Sequence, residues 1–222
     1  MASYRNQSST PPVVLNLLIA NIVAFVAVLL LFDNDVERFE RVYDVYALHP
    51  FESPCFEWWQ PLTYMFLHGD ISHLFFNMFA LWMFGRGLEQ AMGSKRFFIY
   101  YFVCGIGAAL VQMGMYQVDL SHIEPNSIEY LRYMLVPTLG ASGAVFGLLL
   151  AFGMMYPNAT IMLLIPPIPM KAKWFVIIYG AIELLLGVYG SGGVAHFAHL
   201  GGMFWGWLLM MWWRRRDARR YF

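Results

Sequence analysis

The run VVLNLLIANIVAFVAVLLLF, residues 13–32, decides the fold class. It carries no charge, and at about 1.5 Å of helix per residue it reaches roughly 30 Å, the thickness of a bilayer's hydrocarbon core. A short polar tail, MASYRNQSSTPP, precedes it, and no small-residue cleavage signature follows it. The run therefore reads as an uncleaved membrane anchor, not a removable signal peptide.

The rest of the chain repeats this message. Of 222 residues, 59% are apolar, 18% aromatic and only 13% charged, with a mean hydropathy of +0.54. Soluble domains carry charge at about a quarter of their positions, so this is an all-α integral membrane protein. Further apolar segments lie at 71–88 (with an apolar approach from Leu62), 97–116, 142–156, 174–188 and 195–213. Six spans in a single domain, residues 1–222, are expected. The segment IMLLIPPIP, 161–169, is too short to cross and is broken by three prolines, so it is expected as a loop at the membrane surface or a re-entrant one. Fourteen basic residues balance fourteen acidic ones, which removes the basic face that nucleic-acid binding needs. Two cysteines, Cys55 in a polar loop and Cys104 in an apolar run, argue against a disulfide framework.

Lys and Arg gather on the cytoplasmic side of membrane proteins. Here Arg5, Arg86, Lys95, Arg96, Lys171, Lys173, Arg214, Arg215, Arg216, Arg219 and Arg220 fall in the two termini and the second and fourth loops; only Arg38, Arg41 and Arg132 fall opposite. Both termini are thus expected in the cytoplasm. A compact chain with so short a cytoplasmic tail fits a bacterial inner membrane. Spans two, four and six then begin in the outer half of the bilayer, with the positive pole of each helix dipole there.

Strongly polar groups within spans are costly and mark function by default. His73 and Asn77 stand four residues apart, on one helical face. Ser142 opens the fourth span, and His196 and His199 stand near the start of the sixth. All lie at similar depth, where one cavity can hold them. A helix from Ser142 to Tyr156 covers only about 22 Å, so Ser142 is expected below the outer surface in a wet cavity. Gly143 with Gly147 and Gly202 with Gly206 have the spacing that lets two helices approach backbone to backbone. Contact there brings Ser142 and His199 together as nucleophile and general base. The Ser142 backbone N–H and the His73 and Asn77 side chains would then face a developing oxyanion. Spacing alone does not choose between His196 and His199 as the base.

The segments HGDISHLFFN (68–77), GASGAVFG (140–147) and AHLGGMFWG (198–206) resemble the rhomboid intramembrane serine proteases, in the same order and across all six spans. The resemblance implies a six-helix bundle with both termini cytoplasmic. Ser142 would be the nucleophile, His199 its base in a dyad without an aspartate, and His73 and Asn77 the oxyanion donors. It implies no cofactor and no metal. The loop VYGSGGV, with Gly190, Gly192 and Gly193, would be a flexible cap. One departure is Gln60, where the family often has arginine after tryptophan; its loss is expected to weaken the first loop's anchoring.

Competing chemistries find less support. A zinc site on His73, His196 and His199 lacks an Asp or Glu in the outer half of spans two, four or six, and H-E-x-x-H is absent. Aspartyl proteolysis needs two intramembrane aspartates, and the spans hold none. Glu183 is the one clear intramembrane carboxylate, with a structural hydrogen-bonding role expected, and His68 is expected to stabilise its loop by hydrogen bonding. The expected function is hydrolysis of peptide bonds in or near transmembrane segments of membrane-protein substrates within the lipid bilayer. The alternative is a non-catalytic binding or quality-control protein on this scaffold, or a small transporter.

Overall fold

The computed structural model describes residues 10–32, 36–162, 167–190 and 195–218. Its helices are α1 (Pro12–Phe32), α2 (Val36–Tyr46), α3 (Gln60–Thr63), α4 (Ile71–Met92), α5 (Ser94–Leu120), α6 (Ile128–Met134), α7 (Ser142–Met155), α8 (Ala172–Tyr189) and α9 (His196–Ala218). Each of the six expected apolar segments falls, to within one residue, in a helix: α1, α4, α5, α7, α8 or α9. By length and composition Pro12–Leu30, Ser94–Leu120 and Ala172–Tyr189 are apolar enough to cross a membrane, and Ser142–Met155 is a shorter apolar helix. The helices α4 and α9 are as long, but charges at their ends, Arg86 and Glu89 in one and Arg214 to Asp217 in the other, lower their hydropathy.

α5, α7 and α9 form the centre of the bundle, and small residues set how closely they pack. A Cβ added to Gly202 would lie 1.9 Å from the Gly143 carbonyl oxygen. One added to Gly147 would lie 2.4 Å from Cys104 Sγ, and one on Gly206 2.4 Å from Tyr100 Oη. Backbones can meet this closely only where no side chain intervenes. Tyr100 donates its hydroxyl to the Gly147 carbonyl at 2.9 Å and Tyr64 to that of Gly105 at 2.6 Å, so these two buried phenols are satisfied by neighbouring helices.

The segments between the long helices are more ordered than their polarity predicts. α2, α3 and α6 lie in the first and third loops. The two loops are joined where Leu48 and Thr138 exchange backbone hydrogen bonds, both 2.8 Å. Gln60 corrects the expectation of a weakened first loop. It is fully buried; its amide nitrogen donates to the carbonyls of Cys55 (2.6 Å), Asp44 (3.0 Å) and Val45 (3.4 Å), and its oxygen accepts from the His49 N–H (3.1 Å). A neutral amide, unlike a guanidinium, both donates and accepts. Gln60→Ala would strand these backbone groups, and a loss of about 2 to 4 kcal/mol is expected, read as the fall in thermal unfolding temperature in detergent.

The expected loop at 161–169 is also corrected. Thr160–Met162 (β1) and Pro169–Lys171 (β2) pair antiparallel, with Ile161 opposite Met170; residues 163–166 of that segment lie outside the described residues. Proline is tolerated in edge strands, and both strands of a two-stranded ribbon are edges.

Glu89, just past the expected end of the second apolar segment, is buried and accepts from the backbone N–H groups of Val13 (3.1 Å) and Val14 (2.8 Å). It thereby satisfies two of the orphan donors in the first turn of α1.

Candidate active site

Ser142 is the first residue of α7, and its position depends on the turn before it. Gly140 has φ +122, a left-handed conformation that only glycine adopts readily, and its N–H donates to the Tyr64 carbonyl at 2.9 Å. A Cβ at Gly140 would also collide with the His73 ring, 2.8 Å from Nε2, and would lie 3.7 Å from Ser142 Oγ. The turn therefore carries the serine past the His73 imidazole with no room for a side chain.

Ser142 Oγ and His199 Nε2 are 2.8 Å apart, joining α7 to α9. The His199 ring stacks on Phe146, centroids 4.2 Å apart and planes within 8°, one helical turn beyond the serine. On the ring's other edge, His199 Nδ1 lies 2.8 Å from Glu183 Oε2 of α8, and His196 Nδ1 lies 2.7 Å from the same oxygen. A carboxylate only accepts, so both Nδ1 atoms carry protons. His199 Nε2 is then left with its lone pair toward the serine hydroxyl, which donates to it.

Glu183 overturns one step of the sequence reading. The carboxylates within α4 and α9, Glu89 and Asp217, stand near the other ends of those helices, but α8 brings Glu183 between the two histidines. The donor atoms of Glu183, His196 and His199 lie within 4.8 Å of one another, a set that could hold a metal ion. Two ligands of one tetrahedral zinc, each about 2.0–2.1 Å from it, stand about 3.3 Å apart. The nitrogen–oxygen separations of 2.7 and 2.8 Å are those of hydrogen bonds instead.

The second-span residues lie on the other side of Ser142. Asp70 caps α4 by accepting from the His73 N–H at 2.8 Å, and the Ser72 hydroxyl donates to the same carboxylate. That hydroxyl, followed by the His73 N–H, holds the Asp70 carboxyl below its ordinary range. Gly69 N–H donates to His73 Nδ1 at 3.4 Å. His73 then carries its proton on Nε2, the atom beside Gly140 and the serine turn. Asn77 donates one amide hydrogen to the His73 carbonyl at 2.9 Å and keeps the second for another acceptor. His68 is buried, its ring meets His73 edge-on with centroids 5.0 Å apart, and its carbonyl accepts from the Tyr43 hydroxyl at 3.2 Å.

Asn77 and Ser142 share the wall of a cavity of about 470 Å³ between α4, α7 and α8, otherwise lined largely by apolar side chains such as Phe76, Met83, Phe146 and Phe175. A second cavity, about 480 Å³, reaches His196 from the opposite side and is lined by Gln112, Asp119 and Thr138 among others. Of the expected cap, Gly190 ends α8 in extended conformation, while Gly192 and Gly193 lie outside the described residues.

Sequence reasoning passed over Gly140, Phe146 and the placement of Glu183. A lone charge in the apolar stretch 174–188 was the available signal for Glu183.

Within the helical bundle, a serine hydroxyl on an imidazole thus stands at the wall of an apolar groove. Residues 56–216 match the Rhomboid domain, and the chain belongs to the rhomboid family; it is an integral membrane protein. It is 32% identical over 142 residues to Rhomboid protein 1, mitochondrial, of Saccharomyces cerevisiae, covering 64% of this chain and 38% of that protein. It is 30% identical to Rhomboid protease AarA of Providencia stuartii, covering 66% of this chain and 52% of that one. To the putative rhomboid protease YdcA of Bacillus subtilis it is 29% identical, covering 74% of this chain and 72% of that protein. The chain thus spans about half or less of the first two.

Proposed function

We propose that this protein is an intramembrane serine endopeptidase that cleaves peptide bonds in or near the transmembrane segments of other membrane proteins. The 2.8 Å separation of Ser142 Oγ and His199 Nε2 carries this reading. In it, Ser142 Oγ attacks the scissile carbonyl carbon as His199 Nε2 takes the hydroxyl proton. The negative oxygen that forms is met by the Ser142 backbone N–H, His73 Nε2–H and the free amide hydrogen of Asn77. His199 returns the proton to the leaving amine as the carbon–nitrogen bond breaks, and water then hydrolyses the acyl-enzyme with His199 as base.

The same proposal places the whole chain as one domain with α1, α4, α5, α7, α8 and α9 crossing the bilayer and both termini in the cytoplasm. Basic side chains at one end of the bundle support it: Arg86 lies over Trp82, Arg96 over Trp213 and Arg216 over Trp212, the pairing of cation and aromatic belt found at membrane interfaces. The groove between α4 and α8 gives a substrate segment an apolar approach to Ser142 from the side. A helical peptide bond has its carbonyl already bonded, so substrates are expected to unwind at the cut, helped there by glycine or proline. Of the three relatives described above two are bacterial and one is mitochondrial; a bacterial inner membrane is the location proposed for this chain.

The test is a fluorophosphonate probe on the detergent-solubilised protein, alongside cleavage of tagged single-span proteins co-expressed with it. Labelling and cleavage that Ser142→Ala abolishes are expected. Labelling unchanged by that substitution removes the serine from the chemistry, and a folded chain that neither labels nor cleaves returns the non-catalytic alternative.

A further inference from the structure

We infer that Glu183 is a positioning residue for the proposed hydrolysis, holding the His199 imidazole from α8 so that its unprotonated nitrogen faces Ser142. This rests on the reading of Ser142 and His199 as nucleophile and base.

A neutral imidazole can carry its proton on either nitrogen, and only the form protonated on Nδ1 can accept from the serine. A carboxylate oxygen 2.8 Å from Nδ1 selects that form. It also stabilises the imidazolium that exists while the proton is held. The placement is costly, because Glu183 is 7% exposed and is the one charged residue of α8 beyond Lys173 in its first turn. His196 offsets that cost by donating its own Nδ1–H to the same oxygen at 2.7 Å, fixing the carboxylate from its second side. Phe146 restricts the imidazole plane by stacking at 4.2 Å. Ring plane, proton location and carboxylate are thus each held by a different helix: α7, α8 and α9. A purely structural hydrogen bond would need only one of the two histidines. Here the carboxylate's bond to His199 is in line with the serine.

The experiment compares wild type, Glu183→Gln, Glu183→Asp and Ser142→Ala as full-length protein in proteoliposomes, with a cleaved single-span substrate. Cleavage by wild type and none by Ser142→Ala first establishes the underlying reading; its absence defeats that reading before Glu183 is in question. Glu183→Gln is then expected to lower kcat by up to roughly 10,000-fold, the drop seen when the carboxylate behind a serine protease's histidine becomes an amide, with KM changed little. Glu183→Asp, which keeps the charge on a shorter arm, is expected to recover part of the loss. Nitrogen-15 NMR of histidine-labelled wild type, with His199 assigned by its loss in His199→Gln, is expected to show a neutral ring protonated on Nδ1. In Glu183→Gln the Nε2-protonated form should gain. A kcat within about threefold of wild type in Glu183→Gln, or a wild-type ring protonated on Nε2, overturns the inference. So does a loss of rate that tracks thermal unfolding with no change of tautomer. With His199 assigned, the wild-type spectrum decides even if neither Glu183 variant folds.

Discussion

His199→Ala is expected to reduce cleavage to the level of Ser142→Ala, a fall in kcat on the order of 10,000-fold or more, with the bundle still folded. The size follows from the geometry: among the described residues His199 Nε2 is the hydrogen-bond partner of Ser142 Oγ, at 2.8 Å. Without it the hydroxyl keeps its proton, and the leaving amine has no acid. His196→Ala is the matched control. Its ring centroid is 6.4 Å from that of His199, and its Nδ1 contacts Glu183, not the serine. Its removal is expected to leave readily measured cleavage, because the bond between His199 and Glu183 persists. Rates on the same substrate, with thermal unfolding of both variants, check this. Equal loss in both would mean that the base is not His199 alone, and substantial cleavage by His199→Ala would remove it from the mechanism.

Gly202→Ala is the substitution expected to damage the fold most for the fewest atoms added. The new methyl would lie 1.9 Å from the Gly143 carbonyl oxygen and 2.7 Å from its carbon, atoms of a helix backbone that has no rotamer to change. α7 and α9 would have to separate by more than about 1 Å, opening the contact that sets the distance from Ser142 to His199 one turn away. Overpacking of a well-filled core costs roughly 1–3 kcal/mol when side chains can adjust. Here more than about 3 kcal/mol is expected, seen as poor accumulation in the membrane or a large drop in unfolding temperature. Gly114→Ala, on the exposed side of α5 with nothing within 4 Å of the added carbon, is the control. It should be neutral or slightly stabilising, since alanine is the better helix former. Similar behaviour of the two variants would show that α7 and α9 do not meet at Gly202.

Much of this could be read along the chain. Twenty uncharged residues at 13–32 need no partner to be a membrane helix, because an unpaired backbone in hydrocarbon has no other outlet. The spacing of Gly143 with Gly147 and of Gly202 with Gly206 pointed to the α7–α9 contact that sets Ser142 beside His199. His73 and Asn77 shared a face by periodicity alone. The loops were less legible. How the first and third loops meet, as at Leu48 with Thr138, rests on contacts between distant segments that no local pattern encodes.

By itself the sequence determined which segments are apolar helices, where their basic ends fall, and which residue types stand at one depth, because each of these depends on composition and on the 3.6-residue period. Only the tertiary structure decided what each side chain meets across helices. Glu183 is 13 and 16 residues from the two histidines it joins, on a helix whose rotation about its own axis no periodicity specifies. Gln60 reads as the loss of a charge until its amide is seen serving four backbone groups at once. Both residues act through directional hydrogen bonds, which depend on distance and angle between separate elements, quantities that packing sets and the order of residues does not.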